Sequence, residues 1–159
     1  MSPAARRLRG SLVVAGLVVV IDQLSKWWAV SALAGGPIDL WWTLRLNLVY
    51  NFGMAFGQGR GLGPVISVIG LIIVAVLLVS VARGSRELNW FGVGLVVGGA
   101  VGNIADRVIR DPYWLRGGVV DFIDLQWFPV FNLADVAINV GAAILIVFAL
   151  IEGRREARE

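Results

Sequence analysis

Four apolar stretches, each long enough to cross a lipid bilayer, constrain this chain more than any other feature. A helix of about 20 apolar residues spans the ~30 Å hydrocarbon core. Residues 62–82 carry no charge, 88–106 carry none before Asp106, and 133–151 carry only Asp135. The first stretch, 11–30, reads apolar to Ile21, meets Asp22 and Lys26, and resumes through Trp27, Trp28, Ala29 and Val30. It reads as a retained span with a polar interruption. Asp22 and Lys26 would spoil the apolar core of a cleavable leader, and three more spans follow. Composition agrees: the chain is 58% hydrophobic and 16% charged, against about 45–50% and about 25% in soluble domains. The expected fold is an integral membrane protein, mainly α, with four transmembrane helices in a single membrane domain over 1–159.

The charges give the spans a direction. Lys and Arg collect on cytoplasmic flanks. Arg6, Arg7 and Arg9 precede the first span, Arg83 and Arg86 lie between the second and third, and Arg154, Arg155 and Arg158 follow the fourth. These regions share one side of a four-span chain, so both termini are expected in the cytoplasm. The long links, about 31–61 and 107–132, then face outward. Topology accounts for the net charge of +3, and no nucleic-acid partner is implied.

The outer links carry structure of their own. Trp41 to Tyr50 alternates Trp42, Leu44, Leu46, Leu48 and Tyr50 with Trp41, Thr43, Arg45, Asn47 and Val49. A two-residue period is that of a half-buried strand. Gly35, Gly36 and Pro37 precede it, and Gly57, Gly59, Gly61 and Gly63 follow. A small outer sheet at the headgroup level is expected. Trp27, Trp28, Trp41, Trp42, Trp114 and Trp127 would form an anchoring belt there.

The polar groups within or beside the spans agree in depth. Asp22 and Lys26 fall in the outer half of the first span. Asn103, Asp106 and Arg107 close the third, and Asn132, Asp135 and Asn139 open the fourth. Asn51 and Asp121 lie in the outer links. A charge at mid-bilayer costs about 2.5–3.5 kcal/mol on insertion scales, so such residues default to function. Structural readings stand beside this one. Asp22 and Lys26, at i and i+4, make a good helical ion pair. Asp106-Arg107 could be an interfacial helix end. Asn132 could cap the fourth span with Asp135 in its first turn. Gly94, Gly98 and Gly102 allow close helix approach, expected against the fourth span.

With no Cys and no His, thiolate nucleophiles, Cys/His metal sites and His-based triads are excluded. Two adjacent carboxylates cannot easily both ionise; one can activate water while the other protonates a leaving group. By spacing alone the candidates are Asp106, Asp121 and Asp135. A Ser-Lys mechanism through Ser25 and Lys26 is the other option. Neighbours in a helix diverge by about 100°, which makes its geometry poor. A proton-coupled transporter or a lipid-binding subunit is the non-enzyme alternative, but the inner halves of the spans show no polar path.

Five blocks carry a family resemblance: Asp22 to Lys26 (DQLSK), Asn51 to Phe56 (NFGMAF), Gly98 to Arg107 (GGAVGNIADR), Val119 to Ile123 (VVDFI) and Phe131 to Asn139 (FNLADVAIN). Together, in this order, the chain resembles the bacterial lipoprotein (type II) signal peptidases. The resemblance implies a four-helix aspartic peptidase of the bacterial inner membrane, with a small β-cradle and a short helix on the outer, periplasmic side. It implies cleavage of diacylglyceryl-modified prolipoproteins just before the lipid-bearing Cys. No cofactor or metal is expected, and a monomer among membrane lipids is expected, although the sequence does not read out oligomeric state. The resemblance makes Asp121 and Asp135 the catalytic pair. It makes Asp22, Lys26, Asn51, Asn103, Asp106, Arg107 and Asn132 supporting or substrate-binding residues. The choice of Asp121 over Asp106 comes from the resemblance alone.

Overall fold

A computed structural model describes residues 1–53, 61–84, 88–112 and 114–156. Met54, Ala55, Phe56, Gly57, Gly59, Arg86 and Arg158 lie outside them. Four long helices are present: α1 (Pro3–Ala32), α2 (Gly63–Ala82), α3 (Trp90–Ile109) and α4 (Leu133–Glu156). All four are long and apolar enough to cross a membrane. The many Val and Ile residues of α2 are modest helix formers in water. In lipid every backbone group must be satisfied within the segment, which imposes the helix. Ser2 caps α1, its Oγ accepting from the Ala5 amide at 3.2 Å. Asn89 Oδ1 caps α3, accepting from Phe91 and Gly92.

Helix α3 is the buried centre of the bundle, and its glycines explain why. A Cβ on Gly94 would stand 2.8 Å from the Ser11 carbonyl, and one on Gly98 would stand 2.8 Å from the Ala15 carbonyl. The Gly94-Gly98-Gly102 stripe therefore packs on α1, not on the fourth span as the sequence reading expected. The fourth span is met by a different pair. A Cβ on Gly92 would meet the Gly141 carbonyl, and one on Gly99 the Ala134 carbonyl. Glycine occurs on two faces of α3, so both neighbours approach closely. Helix α2 packs mainly on α3 and leaves Ile72 and Val76 exposed, as a lipid-facing helix does.

Between the helices lies a three-stranded antiparallel sheet in the order β1 (Ile38–Trp41), β2 (Leu44–Asn51), β3 (Val119–Asp124). The single strand expected over Trp41–Tyr50 is thus a hairpin. Trp41 pairs with Leu44 around a tight turn in which Trp42 has φ 50°. That turn uses no Gly or Asn, so its sequence carries no turn signal. Ala29 and Leu33 of α1 pack with Val120 and Phe122, and with Leu46 and Leu48 at their edge, fixing the sheet on the bundle. The described residues of the second link between α3 and β3 form turns, so the short outer helix implied there is not seen among them.

Candidate functional site

The sheet places one carboxylate. Arg45 pairs with Asp124 and Leu46 with Ile123, but Val49 pairs with Asp121 and Asn51 with Val119. One extra residue of β2 is therefore accommodated between Leu46 and Val49, a bulge. Without it, Asn51 would lie on the opposite face of the sheet from Asp121, because side chains alternate with period two. With it, the Asn51 amide donates to Asp121 Oδ2 at 3.1 Å. Asp124, three residues on, faces the other way. Arg45 Nε donates to its Oδ2 at 2.7 Å, with Asn47 beside it.

Helix α4 places the other carboxylate. Asn132 Oδ1 accepts from the Asp135 amide at 3.0 Å, and Asp135 Oδ2 accepts from the Asn132 amide at 3.1 Å. This is a reciprocal N-terminal cap, so the structural reading of Asn132 holds. The same Asn132 also reaches β3: its Nδ2 donates to Asp121 Oδ1 at 2.6 Å and to Asn103 Oδ1 at 3.1 Å. Asn103 Nδ2 in turn donates to Asp135 Oδ1 at 2.8 Å. One asparagine side chain thus ties Asp121 to the helix start that carries Asp135.

Beneath this layer lies a dry ion cluster. Lys26 Nζ contacts Asp22 Oδ2 at 2.8 Å, Asp106 Oδ2 at 2.9 Å and Asn103 Oδ1 at 2.9 Å. Lys26, Asp22 and Asp106 have no solvent exposure. The helical ion pair expected from spacing is real, and each of its members also does something tertiary. Asp22 Oδ1 accepts from the Ala134 amide at the start of α4. Asp106 Oδ2 accepts from the Val120 amide of β3, and its Oδ1 from Arg110 Nε at 2.9 Å. The cluster fastens α1, α3, α4 and β3 to one another, and Asn103 links it to the carboxylate layer. Such a cluster holds geometry more than it adds stability, because desolvation offsets most of the ionic attraction.

Arg107 donates to the carbonyls of Asn103 at 3.4 Å and Gly53 at 3.3 Å. Its Nε has no hydrogen-bond partner among the described residues. Asn51, Asn103, Arg107, Asp121 and Asp135 all line one cavity of about 660 Å³ between α2, α3 and α4. Its remaining wall is mostly apolar, with Ile66 and Gly70 from α2, Ile104 from α3, and Val136 and Ile138 from α4. Burial, then the charge of Asp135, push the Asp121 carboxyl up to about 7, against the pull of Asn51, Asn132 and Lys26. Asp124 shows the contrast. Burial pushes it up, but its bonds from Arg45, the Gln126 amide and Asn47 outweigh that and hold it below the usual range.

All nine residues singled out from sequence converge on this region. Asp22, Lys26 and Asp106 form the deep cluster, and Asn51, Asn132, Asp121 and Asp135 the upper layer. Asn103 joins the two, and Arg107 stands at the cavity wall. Two participants were missed. Gln23 donates to Asp22 Oδ2 and the Gly102 carbonyl. Arg110 pairs with Asp106. Asn139, one of the polar residues read as opening the fourth span, donates to the Asp135 carbonyl. Arg110 was findable, since it stands four residues after Asp106. Among the described residues no group of three acidic, His or Cys side chains could hold a metal ion.

Fold and site together define a multi-pass membrane protein with two linked carboxylates at the wall of a largely apolar cavity. A family model described as signal peptidase (SPase) II matches residues 14–151. The chain is 40% identical over 142 residues to the lipoprotein signal peptidase of Rhodococcus jostii (strain RHA1), covering 87% of this chain and 71% of that protein. It is 37% identical over 152 residues to the lipoprotein signal peptidase of Syntrophomonas wolfei, covering 89% of this chain and 93% of that protein. A solved bacterial membrane enzyme superposes with a TM-score of 0.74 at 30% identity, covering 89% of this chain and 87% of that one. The chain belongs to the signal peptidase II family, and is a peptidase.

Proposed function

We propose that this chain removes signal peptides from diacylglyceryl-modified prolipoproteins, cutting just before the lipid-bearing Cys, with Asp121 and Asp135 as the catalytic pair. The observation that carries the reading is the Asn132 bridge. It holds two carboxylates on one cavity, where burial, and then the charge of Asp135, raises Asp121 toward working pH. Water between them attacks the scissile carbonyl. The ionised member accepts a water proton, while the protonated member polarises the carbonyl and the leaving nitrogen is protonated as the intermediate collapses. Asp106 is not available for this role, because both of its oxygens accept bonds from Lys26, Arg110 or the Val120 amide. The apolar wall suits a signal segment entering from lipid, and Arg107 stands where it can bind substrate backbone.

The flanking arginines favour cytoplasmic termini, which puts the sheet and the site at the outer face of a bacterial inner membrane. Ser-Lys chemistry fits poorly. Ser25 Oγ donates to the Asp22 carbonyl at 2.7 Å. All three Lys26 donors are engaged. The test is incubation of purified protein with a lipidated precursor peptide, followed by a gel. Wild type should cut upstream of the lipidated Cys, and Asp121→Asn and Asp135→Asn should not cut while remaining folded. Wild-type turnover by either variant removes it from the catalytic pair.

A further inference from the structure

The two carboxylates are held by different kinds of donor. Asp135 sits in the first turn of α4, where the helix dipole favours an anion. One of its donors is a backbone amide, Asn132 N–H, which can only donate. The other is Asn103 Nδ2. Amide orientation is read from the surrounding network, and here the network leaves no choice. Asn103 Oδ1 accepts from the Lys26 ammonium at 2.9 Å, a group with donors only. Turning the amide over would point its NH2 at that ammonium. Asn103 must therefore present N–H to Asp135.

Asp121 differs on both counts. It lies on a strand, which has little net dipole. Its Oδ1 faces the fixed Asn132 amide, but its Oδ2 faces Asn51. Among the described residues, the Asn51 side-chain oxygen is held by one bond, a local turn bond from the Gly53 amide at 3.1 Å. The Asn51 amide can turn over for the loss of that one bond and then accept from a protonated Asp121. Among the described residues, Asp121 Oδ2 is the one of the four carboxylate oxygens whose protein partner can change from donor to acceptor.

We propose that the pair is asymmetric at rest: Asp121 holds the proton, Asp135 holds the charge, and Lys26 acts through Asn103 as the positioning residue that keeps it there. The proposal rests on the reading of Asp121 and Asp135 as the catalytic pair. Among the described residues, the charged and titratable groups around them are Lys26 and Asp22 from α1, Asp106 and Arg107 from α3 with Arg110 at its end paired to Asp106, and Asp124 from β3. From β2 there are Arg45, tied to Asp124, and Tyr50; α2 has none. The steps then balance. The water oxygen bonds to the scissile carbon, its proton goes to Asp135, and Asp121 gives its proton to the carbonyl oxygen. On collapse the C–N bond breaks, Asp135 protonates the nitrogen, and a hydroxyl of the intermediate returns a proton to Asp121.

The experiment is the pH dependence of kcat/KM for a lipidated precursor peptide. The acidic limb reports the base and the alkaline limb the acid. Asn103→Leu and Asn103→Ser both remove the donor to Asp135, and the serine keeps an acceptor for Lys26. Each should move the acidic limb up by about one pH unit and leave the alkaline limb in place. Asn51→Leu removes the partner of Asp121 Oδ2, donor and acceptor alike, from a half-buried strand position. It should move the alkaline limb and leave the acidic one in place. The reverse pattern assigns the proton to Asp135 and overturns the proposal. Limbs that do not respond to either Asn103 variant overturn the positioning role. Failure of the underlying reading looks different, since Asp121→Asn or Asp135→Asn would then still cleave.

Discussion

The contact between α1 and α3 can be tested by adding one methyl group. A Cβ at Gly98 would lie 2.6 Å from Val18 Cβ, 2.8 Å from the Ala15 carbonyl oxygen and 2.9 Å from Ala15 Cα. Non-bonded carbons rest at about 3.5–4.0 Å, so α1 would have to retreat by roughly 1 Å at that level. Two of the three atoms belong to the backbone, and no rotamer change relieves them. Overpacking of this kind costs about 1–3 kcal/mol. The damage extends to the site, because Asp22 and Lys26 ride on the same helix. Lys26 Nζ stands 2.9 Å from both Asn103 Oδ1 and Asp106 Oδ2. A retreat of ~1 Å carries both past the range of a useful hydrogen bond. Gly98→Ala should lower the melting temperature by several degrees and reduce cleavage of a lipidated precursor peptide. Gly16 on α1 is the control, since a Cβ there meets nothing within 4 Å. Gly16→Ala should melt no lower than wild type. If Gly98→Ala melts and cleaves like Gly16→Ala, the close α1–α3 contact is wrong.

Two further predictions concern stability. Asp121 is buried and raised to about 7 in the folded protein, whereas an unfolded Asp titrates near 3.9. Between those values the folded state binds more protons than the unfolded one, so stability falls as pH rises and levels off above about 7. The penalty at pH 8 has a ceiling of about 4 kcal/mol. Asp121→Asn should therefore melt above wild type at pH 8, and the gap should close as pH approaches 4; a gap that does not depend on pH refutes the assignment. Lys26→Met leaves Asp22 and Asp106 buried without their shared cation, a loss of about 3–5 kcal/mol. It should melt far below wild type, whereas a variant with unchanged melting would show that the cluster is not dry.

Much of the site was readable one element at a time. Asp22 and Lys26 stand one helical turn apart, and Asn132 and Asp135 stand three apart at a helix start. Both contacts follow from helix geometry alone, and both are present. The Gly94-Gly98-Gly102 stripe was readable as a close-approach face, but not its partner. Small residues say that some backbone comes near, and the assembled bundle decides which one. The hairpin at Trp42 was missed because the turn is held by the strands around it and by no residue of its own.

Periodicity and charge distribution determined the spans, their alternation and the common depth of the polar groups, because these are properties of single helices in a bilayer. Which two aspartates share a cavity is a property of register between elements. Asp106 is as well placed in sequence as Asp121, yet Lys26, Arg110 and the Val120 amide occupy it. One bulged residue in β2 turns Asn51 to the face of Asp121, and one asparagine reaches from the start of α4 to β3. A shift of one residue along a strand reverses every side chain, and no local pattern in the sequence records it.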